Sequence, residues 1–420
     1  MSNRKLLESD HFCILPFISS RIWHGAVVPC CINHETVFGN SITDSISDIY
    51  SNKNTELREF RKQLINGPEL PTSCNRCAFT EKSGVNSYRI KSNKKWNQVI
   101  DEIEFDQEGN LTEFKIRLWD GIGYTNLCNL KCRMCPSYLS TTNRTEEVKY
   151  NLPIKQLAPA HQVPFKKFKD ILTPTAILIS SFDDNNKLYD FFTQHLDTTQ
   201  EIKFEGGEPM MMEENYKLLE LLIEHNKTDV ALHYFTNMTQ LTLKDYDILK
   251  LWSHFKNVQV HISLDAYKDQ NYYIRHPSNW DDIVDNINRI RVECPHVTLK
   301  VNTAIQILNS FACTKLHKWC IDNNLEQDFT FLKQPANMSL NALTPEYKDR
   351  VKEHWDQYKL TVSNTSAIDN FLQMMYTEDT SENLTEFFAT IKERDVVRNE
   401  DVFKTFPELI ELKEQNDKRH

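Results

Sequence analysis

Glycine is the scarce residue of this chain: 9 in 420, against 23 phenylalanines and 15 tyrosines. Collagen-like repeats and glycine-rich flexible linkers are thereby excluded, and each glycine that remains marks a place where the backbone has a special task. No apolar run approaches the roughly 18 residues of a membrane-spanning helix. Long Lys/Arg runs are missing too, and 49 basic residues against 59 acidic ones leave a net charge of −10. That balance argues against a nucleic-acid binder and against a polybasic membrane anchor, while leaving room for a local basic cleft. Residues 1–12 mix Arg4, Lys5, Glu8 and Asp10 with few apolar residues, so no signal peptide and a cytoplasmic location are expected. Cysteine, in contrast, is plentiful at 11. Without an export signal, clustered cysteines point to metal binding or redox chemistry and away from disulfides.

Three groups of cysteine separate. Cys128, Cys132 and Cys135 lie within eight residues; Cys13, Cys30, Cys31, Cys74 and Cys77 occupy the first 80; Cys294, Cys313 and Cys320 are scattered through a helix-rich stretch. Three thiolates spaced this closely on a loop can converge on one small centre. A 4Fe–4S cube takes four ligands, so three protein thiolates leave one iron open. A structural zinc site would want a fourth Cys or His close by, and the next histidine, His161, lies outside finger spacing.

Downstream, strand-like runs at Phe114–Trp119, Glu201–Phe204, Ala231–Phe235, Val258–Leu264, Val297–Ile307 and Phe329–Leu332 alternate with helical patterns at Asn215–His225, Leu243–His254, Asp281–Val292 and Thr314–Asn323. Six β/α units in series predict an α/β fold with a parallel sheet, a partial (βα)6 TIM-like barrel, whose chemistry gathers at the C-terminal strand ends. The trio follows the first strand, where an active-site loop belongs. Gly121-Ile-Gly123 lacks the third glycine and the following helix of a dinucleotide-binding turn, so that reading is set aside.

The run Cys128-xxx-Cys132-xx-Cys135 at the end of a first strand resembles the signature of the radical S-adenosylmethionine (SAM) superfamily. The resemblance implies that the three thiolates hold a 4Fe–4S cluster whose open iron is chelated by SAM, and that the reduced cluster cleaves SAM to a 5′-deoxyadenosyl radical that abstracts a hydrogen atom from a substrate. Further segments match in order along the chain. Gly206-Gly207-Glu208-Pro209 is similar to the family's GGEP motif, which implies contact with the SAM amino group. Thr236-Asn237 ends the third strand, Ser263 and Asp265 the fourth; these positions and Asn302 are implied as SAM contacts, and Arg275 as the group that grips the SAM carboxylate. The bland alternative for each is an ordinary polar strand end.

Residues 1–95 resemble the first half of the SPASM pattern, in the shortened form called a twitch domain, here N-terminal to the barrel. The resemblance implies an auxiliary iron–sulfur cluster, of the 4Fe–4S kind, on Cys13, Cys30, Cys74 and Cys77, with Cys31 able to replace Cys30; Glu81, Gly84, Ser87 and Arg89 also look like that family. A four-cysteine zinc site is the alternative that these spacings permit. The expected organisation is a twitch domain over 1–95, the barrel over 110–335 with an insertion at about 140–200, and a helical extension over 336–420. Cys313 could donate a hydrogen atom to a substrate radical, but its seven-residue spacing from Cys320 favours a buried helix face. Tyr124, Tyr138, Tyr272 and Tyr273 are read as packing, and no catalytic acid or base is assigned. The implied partners are a peptide or small-molecule substrate and an electron donor such as flavodoxin or ferredoxin. The rival class is a non-catalytic scaffold stabilised by zinc or a cluster.

Overall fold

The computed structural model describes residues 3–82, 84–152 and 177–419, so His161 and the middle of the expected insertion lie outside the described residues. The chain is α/β, as expected, and divides into two compact units: Met1–Asn126, Pro159–His233 and Ser253–Asn257 form one, Leu127–Ala158, Tyr234–Trp252 and Val258–His420 the other. No described helix is long and apolar enough to cross a membrane.

In the first unit, β1 (Ser19–Trp23) and β2 (Ala26–Val27) form an antiparallel hairpin. Its two-residue turn, His24-Gly25, has φ of 49° and 84°, the positive values that match the twist of paired strands. β3 (Gly39–Asn40) pairs antiparallel with β2. On its other side β1 runs parallel to β4 (Leu118–Gly123), which in turn runs parallel to β5 (Glu201–Phe204). The cysteine-rich front end thus contributes a strand to the ladder of the first expected barrel strand.

Both ladders of β4 slip at the same place. Ser20 pairs with Trp119 and Ile22 with Ile122; on the other side Trp119 pairs with Ile202 and Ile122 with Phe204. Asp120 and Gly121 therefore oppose single residues, Arg21 on β1 and Lys203 on β5. Such a bulge re-aims a side chain out of the ladder. Gly121 takes φ 98°, and a Cβ there would overlap the Arg21 guanidinium and stand 2.6 Å from Glu205 Oε1.

β6 (Ala231–Thr236) carries the chain into the second unit, followed by a small hairpin of β7 (Thr242–Leu243) and β8 (Tyr246–Asp247). β9 (Val258–Ser263), β10 (Thr298–Ile305) and β11 (Glu326–Phe331) form parallel ladders. The helices Trp280–Glu293 and Cys313–Asp322 connect them. On β9 the residues Val258, Val260 and Ile262 are buried, whereas Gln259, His261 and Ser263 are half-exposed. One face of the strand thus packs into the core while the other stays polar and partly open. The C-terminal extension is helical, with its longest helices at Pro345–Lys359 and Leu384–Arg398. Its buried Trp355 packs edge-on against Phe329 and Phe371.

Three expected elements shift. The first barrel strand begins at Leu118, because Phe114 is taken up by stacking on Tyr50 at 4.7 Å. The expected helix Leu243–His254 opens with the β7–β8 hairpin, turned through Lys244 at φ 53°, and keeps only Ile248–Trp252 as helix. The last strand starts at Glu326; its exposed Glu326, Asp328 and Thr330 hide it from a search for apolar runs. The bulge carries a direct test: Gly121→Ala is expected to lower stability by about 1–3 kcal/mol through backbone strain alone, with more from the clash on Arg21, read as the urea midpoint of the full chain.

Candidate metal centres

Cys13, Cys30, Cys74 and Cys77 line one cavity of the first unit. Each sulfur meets an N–H. The amides of Leu15 and Ile32, two residues on, donate to Cys13 and Cys30; the Asn33 side-chain amide approaches Cys74 Sγ at 3.6 Å; the Arg89 amide donates to Cys77. Asn33 is held for this by accepting from the amides of Glu35 and Thr36, both at 3.2 Å. Burial pushes the thiols up, Cys74 to about 12 and Cys30 well above the ordinary value, so without a metal they keep their protons. Iron removes the proton on binding, and the N–H groups then face thiolates. Four cysteines with N–H donors fit an iron–sulfur cluster. Among the described residues no three His, Cys, Asp or Glu side chains stand together closely enough to hold a single metal ion.

Cys31 does not line that cavity. Its N–H donates to Asp120 Oδ2 at 3.1 Å, which turns the residue toward the bulge. There Asp120, fully buried, accepts from Tyr88 Oη at 2.6 Å and pairs with Lys203 Nζ at 2.7 Å. Burial pushes the Asp120 carboxyl up, but Lys203 and Arg21 outweigh it and hold the group below its ordinary value. Arg21 donates to the Asp120 carbonyl at 2.6 Å and pairs with Glu205. In the neighbouring Gly206-Gly207-Glu208 turn, Gly206 takes φ 123°. The buried Glu208 carboxylate accepts from the Met210 amide at 3.0 Å, capping the turn at Pro209–Met211.

The trio lies in the second unit, on a loop without regular structure. Cys128 and Cys132 are buried and Cys135 half-buried. Leu130 N–H donates to Cys128 Sγ at 3.4 Å, the same two-residue offset seen at Cys13 and Cys30. The Cys135 thiol donates to Cys132, so Cys132 is the one whose proton leaves more easily, helped by Arg275, while Cys135 is pushed up. The start of the helix Thr141–Tyr150 grips the loop from one side: Asn143 Nδ2 donates to the carbonyls of Cys132 and Cys135 at 3.1 and 3.0 Å, and the hydroxyls of Ser140 and Thr142 both donate to Leu130 O at 2.6 Å. From the other side the amides of Lys131 and Arg133 donate to the carbonyls of His276 and Ile274 at 2.7 and 2.8 Å.

Arg133, between two of the cysteines, is 1% exposed at its side chain. It pairs with Asp395 and Glu400, each at 2.6 Å, and lies over the Tyr273 ring at 3.6 Å. Tyr273 in turn donates to Asp395 at 2.7 Å, and His276 meets Glu400 at 2.8 Å. On the next helix, Glu146 pairs with Lys131, Arg394 and Arg398. Cysteine loop, following helix and C-terminal helix are thus tied by buried ions. Of these the sequence singles out Tyr273, as packing; Asp395 and Glu400 lie more than 260 residues from Arg133 and carry no signal of the pairing.

Arg275 and Asp265 face each other at 2.7 Å, near enough for an ion pair though not aligned as a hydrogen bond. Asp265 also accepts from the Ala304 amide at 2.8 Å. Burial pushes the Asp265 carboxyl up, partly offset by Arg275, whose charge also acts on Cys132 and Cys135. Asn237 donates to Asn129 Oδ1, and Asn129 donates to Thr239 Oγ1, both at 2.8 Å, stitching the Thr236-Asn237 turn to the cysteine loop. Ser263 and Asn302 are register partners on β9 and β10, half-exposed on the same open face. Cys313 is fully buried, with Gln327 donating to its sulfur at 3.6 Å.

Two outcomes test the buried ion network. Arg133→Met leaves Asp395 and Glu400 without their cation, a loss of about 3–5 kcal/mol, and iron per chain after reconstitution is expected to fall from about eight toward about four. Burial pushes Glu146 up, but hydrogen bonds from Arg398 and Lys131 bring it down to about 2. Because its folded pKa is depressed, the stabilisation is complete above the unfolded value of about 4.5 and drains as pH falls from there toward 2. Urea midpoints should drop over that window, and Glu146→Gln should flatten the drop.

Comparison with known proteins completes the picture. Residues 122–302 match the family described as the radical SAM superfamily, and residues 13–78 match the iron–sulfur cluster-binding domain SPASM. No curated protein matches. Among solved structures, the one titled "Native anSMEcpe with bound AdoMet" is 16% identical at a TM-score of 0.37, covering 58% of this chain and 61% of that one. "Native anSMEcpe with bound AdoMet and Cp18Cys peptide" is 17% identical at 0.35, covering 58% of this chain and 60% of that one. "Structure of TYW1 with a lysine-pyruvate adduct bound" is 12% identical at 0.27, covering 58% and 71%. The chain therefore spans less than two thirds of the first two of these structures. With both signatures matched, the chain carries a SPASM-type iron–sulfur cluster-binding domain over residues 13–78 ahead of a radical SAM domain over residues 122–302.

Proposed function

We propose that this chain is a radical SAM enzyme, with a 4Fe–4S cluster on Cys128, Cys132 and Cys135 and an auxiliary iron–sulfur cluster on Cys13, Cys30, Cys74 and Cys77. When bound, the first cluster and SAM supply the chemistry of the family: one electron from a donor such as flavodoxin or ferredoxin breaks the S–C5′ bond, giving methionine and a 5′-deoxyadenosyl radical that takes a hydrogen atom from the substrate. The observation that carries the reading is the Arg275 charge set against Cys132 and Cys135 and fixed by Asp265. A guanidinium so placed suits a carboxylate ligand, as the resemblance implies for SAM. Asn237, through Asn129, holds the cysteine loop in position, and Thr236 caps the same turn by accepting from the Met238 amide at 3.1 Å. Ser263 and Asn302 offer polar groups on the open strand face, and for Gly206, Gly207 and Glu208 the resemblance supports a role toward the SAM amino group.

The substrate in this proposal is a peptide or a small molecule; the fold itself does not name one. The test is anaerobic incubation of the reconstituted, reduced protein with SAM, with 5′-deoxyadenosine and methionine read by chromatography. Both are expected in equal amounts, and Cys128→Ala, Cys132→Ala or Cys135→Ala should abolish them. Replacing the front-end cysteines should leave one cluster and residual SAM cleavage. A wild-type chain that binds iron in full yet releases no 5′-deoxyadenosine would instead be a cluster-stabilised scaffold.

A further inference from the structure

The wall of the front-end cavity holds one arginine whose position is over-determined. Arg89 is 5% exposed and lines the cavity beside the four cysteines. Its Nη1 donates to the carbonyls of Ser9 and Phe12 at 2.9 and 3.0 Å, while Nε and Nη2 form a bidentate pair with Glu81 at 2.9 and 2.6 Å. Ser87 donates to the same carboxylate at 2.5 Å. Four bonds and burial leave the guanidinium no alternative placement, and its charge cannot be titrated away.

We propose that Arg89 is a positioning residue for the auxiliary cluster, its fixed charge raising that cluster's reduction potential. The inference rests on the auxiliary-cluster reading. One-electron reduction adds a negative charge to a cluster already carrying negative thiolates, and a buried cation nearby favours the added charge because little water screens it. Glu81 opposes the effect without cancelling it. Its side chain is 18% exposed against 5% for Arg89, so it is better screened, and it does not line the cavity. At Cys77 the Glu81 charge outweighs that of Arg89, but at Cys13 and Cys74 it is Arg89 that acts. A merely structural clasp would tie the chain around Cys13 to that around Cys77 without moving a potential.

The experiment is an EPR-monitored redox titration of the full-length reconstituted protein, with the auxiliary cluster assigned as the one whose signal does not change on adding SAM. Arg89→Gln is expected to shift its midpoint to lower potential and Arg89→Lys to restore most of the shift, with the SAM-responsive cluster unmoved. Glu81→Gln, which leaves Arg89 tied to Ser9 and Phe12, is expected to shift the midpoint the opposite way. If Arg89→Gln loses the cluster, the Glu81→Gln arm decides, and a midpoint that stays or falls overturns the inference. Equal midpoints in wild type, Arg89→Gln and Arg89→Lys at full iron content also overturn it. A wild-type chain with zinc or only about four irons would bring down the auxiliary-cluster reading itself and the inference with it.

Discussion

The second unit depends on Arg133. The segment that must present three cysteines has no helix or strand of its own to hold it, and a guanidinium between two of those cysteines is the part of it anchored most deeply. Burying such an ion is costly unless every partner is present. Here Asp395 and Glu400 supply the charge, Tyr273 the ring face and the Tyr273 carbonyl a further acceptor at 3.0 Å from Nε. Asp395 comes more than 260 residues later in the chain. The C-terminal extension is therefore part of the cysteine loop's support. Glu146, bridging Lys131 to Arg394 and Arg398, repeats the arrangement one helix earlier.

The first unit solves the same problem with neutral donors at the sulfurs. Amides two residues beyond Cys13 and Cys30, and the Asn33 and Arg89 groups at Cys74 and Cys77, come from parts of the chain fixed by other bonds. Ser87 caps the helix Tyr88–Lys95, which places the Arg89 amide in its first turn, where helix N–H groups lack carbonyl partners. A sulfur there meets a donor that needs an acceptor. The Cys77 site thus follows from the cap as much as from the cysteine.

Much of this was legible in the sequence, and what was not has a common cause. β5 stood out because Ile202 and Phe204 alternate with Glu201 and Lys203 just ahead of the Gly206-Gly207 pair. The trio stood out because three cysteines in eight residues have few other uses. The start of β11 is hidden because its polar face carries no apolar signal, and the hairpin after β6 because a positive φ at Lys244 has no residue signature when glycine is absent. Spacing offers no choice between Cys30 and Cys31; the cavity lining and Asp120, which claims the Cys31 amide, favour Cys30. The ion network of Arg133 joins residues far apart in the chain, and a single sequence offers no signal for such pairings.

The bulge in β4 joins these strands of argument. Gly121 is one of 9 glycines, and its positive φ lets β4 hold Asp120 out of register between Arg21 and Lys203. Through Tyr88 the same carboxylate reaches a residue that lines the front-end cavity, and through the Cys31 amide it fixes the residue next to Cys30. One irregularity in a barrel strand therefore sets where two sides of the cysteine cavity stand. A front end that supplied only a tethered domain would need none of this. β1 pairs along β4 instead, so the front end shares a ladder with the first barrel strand, and a change at Asp120 would be felt beside Cys30, through the Cys31 amide, without touching any sulfur.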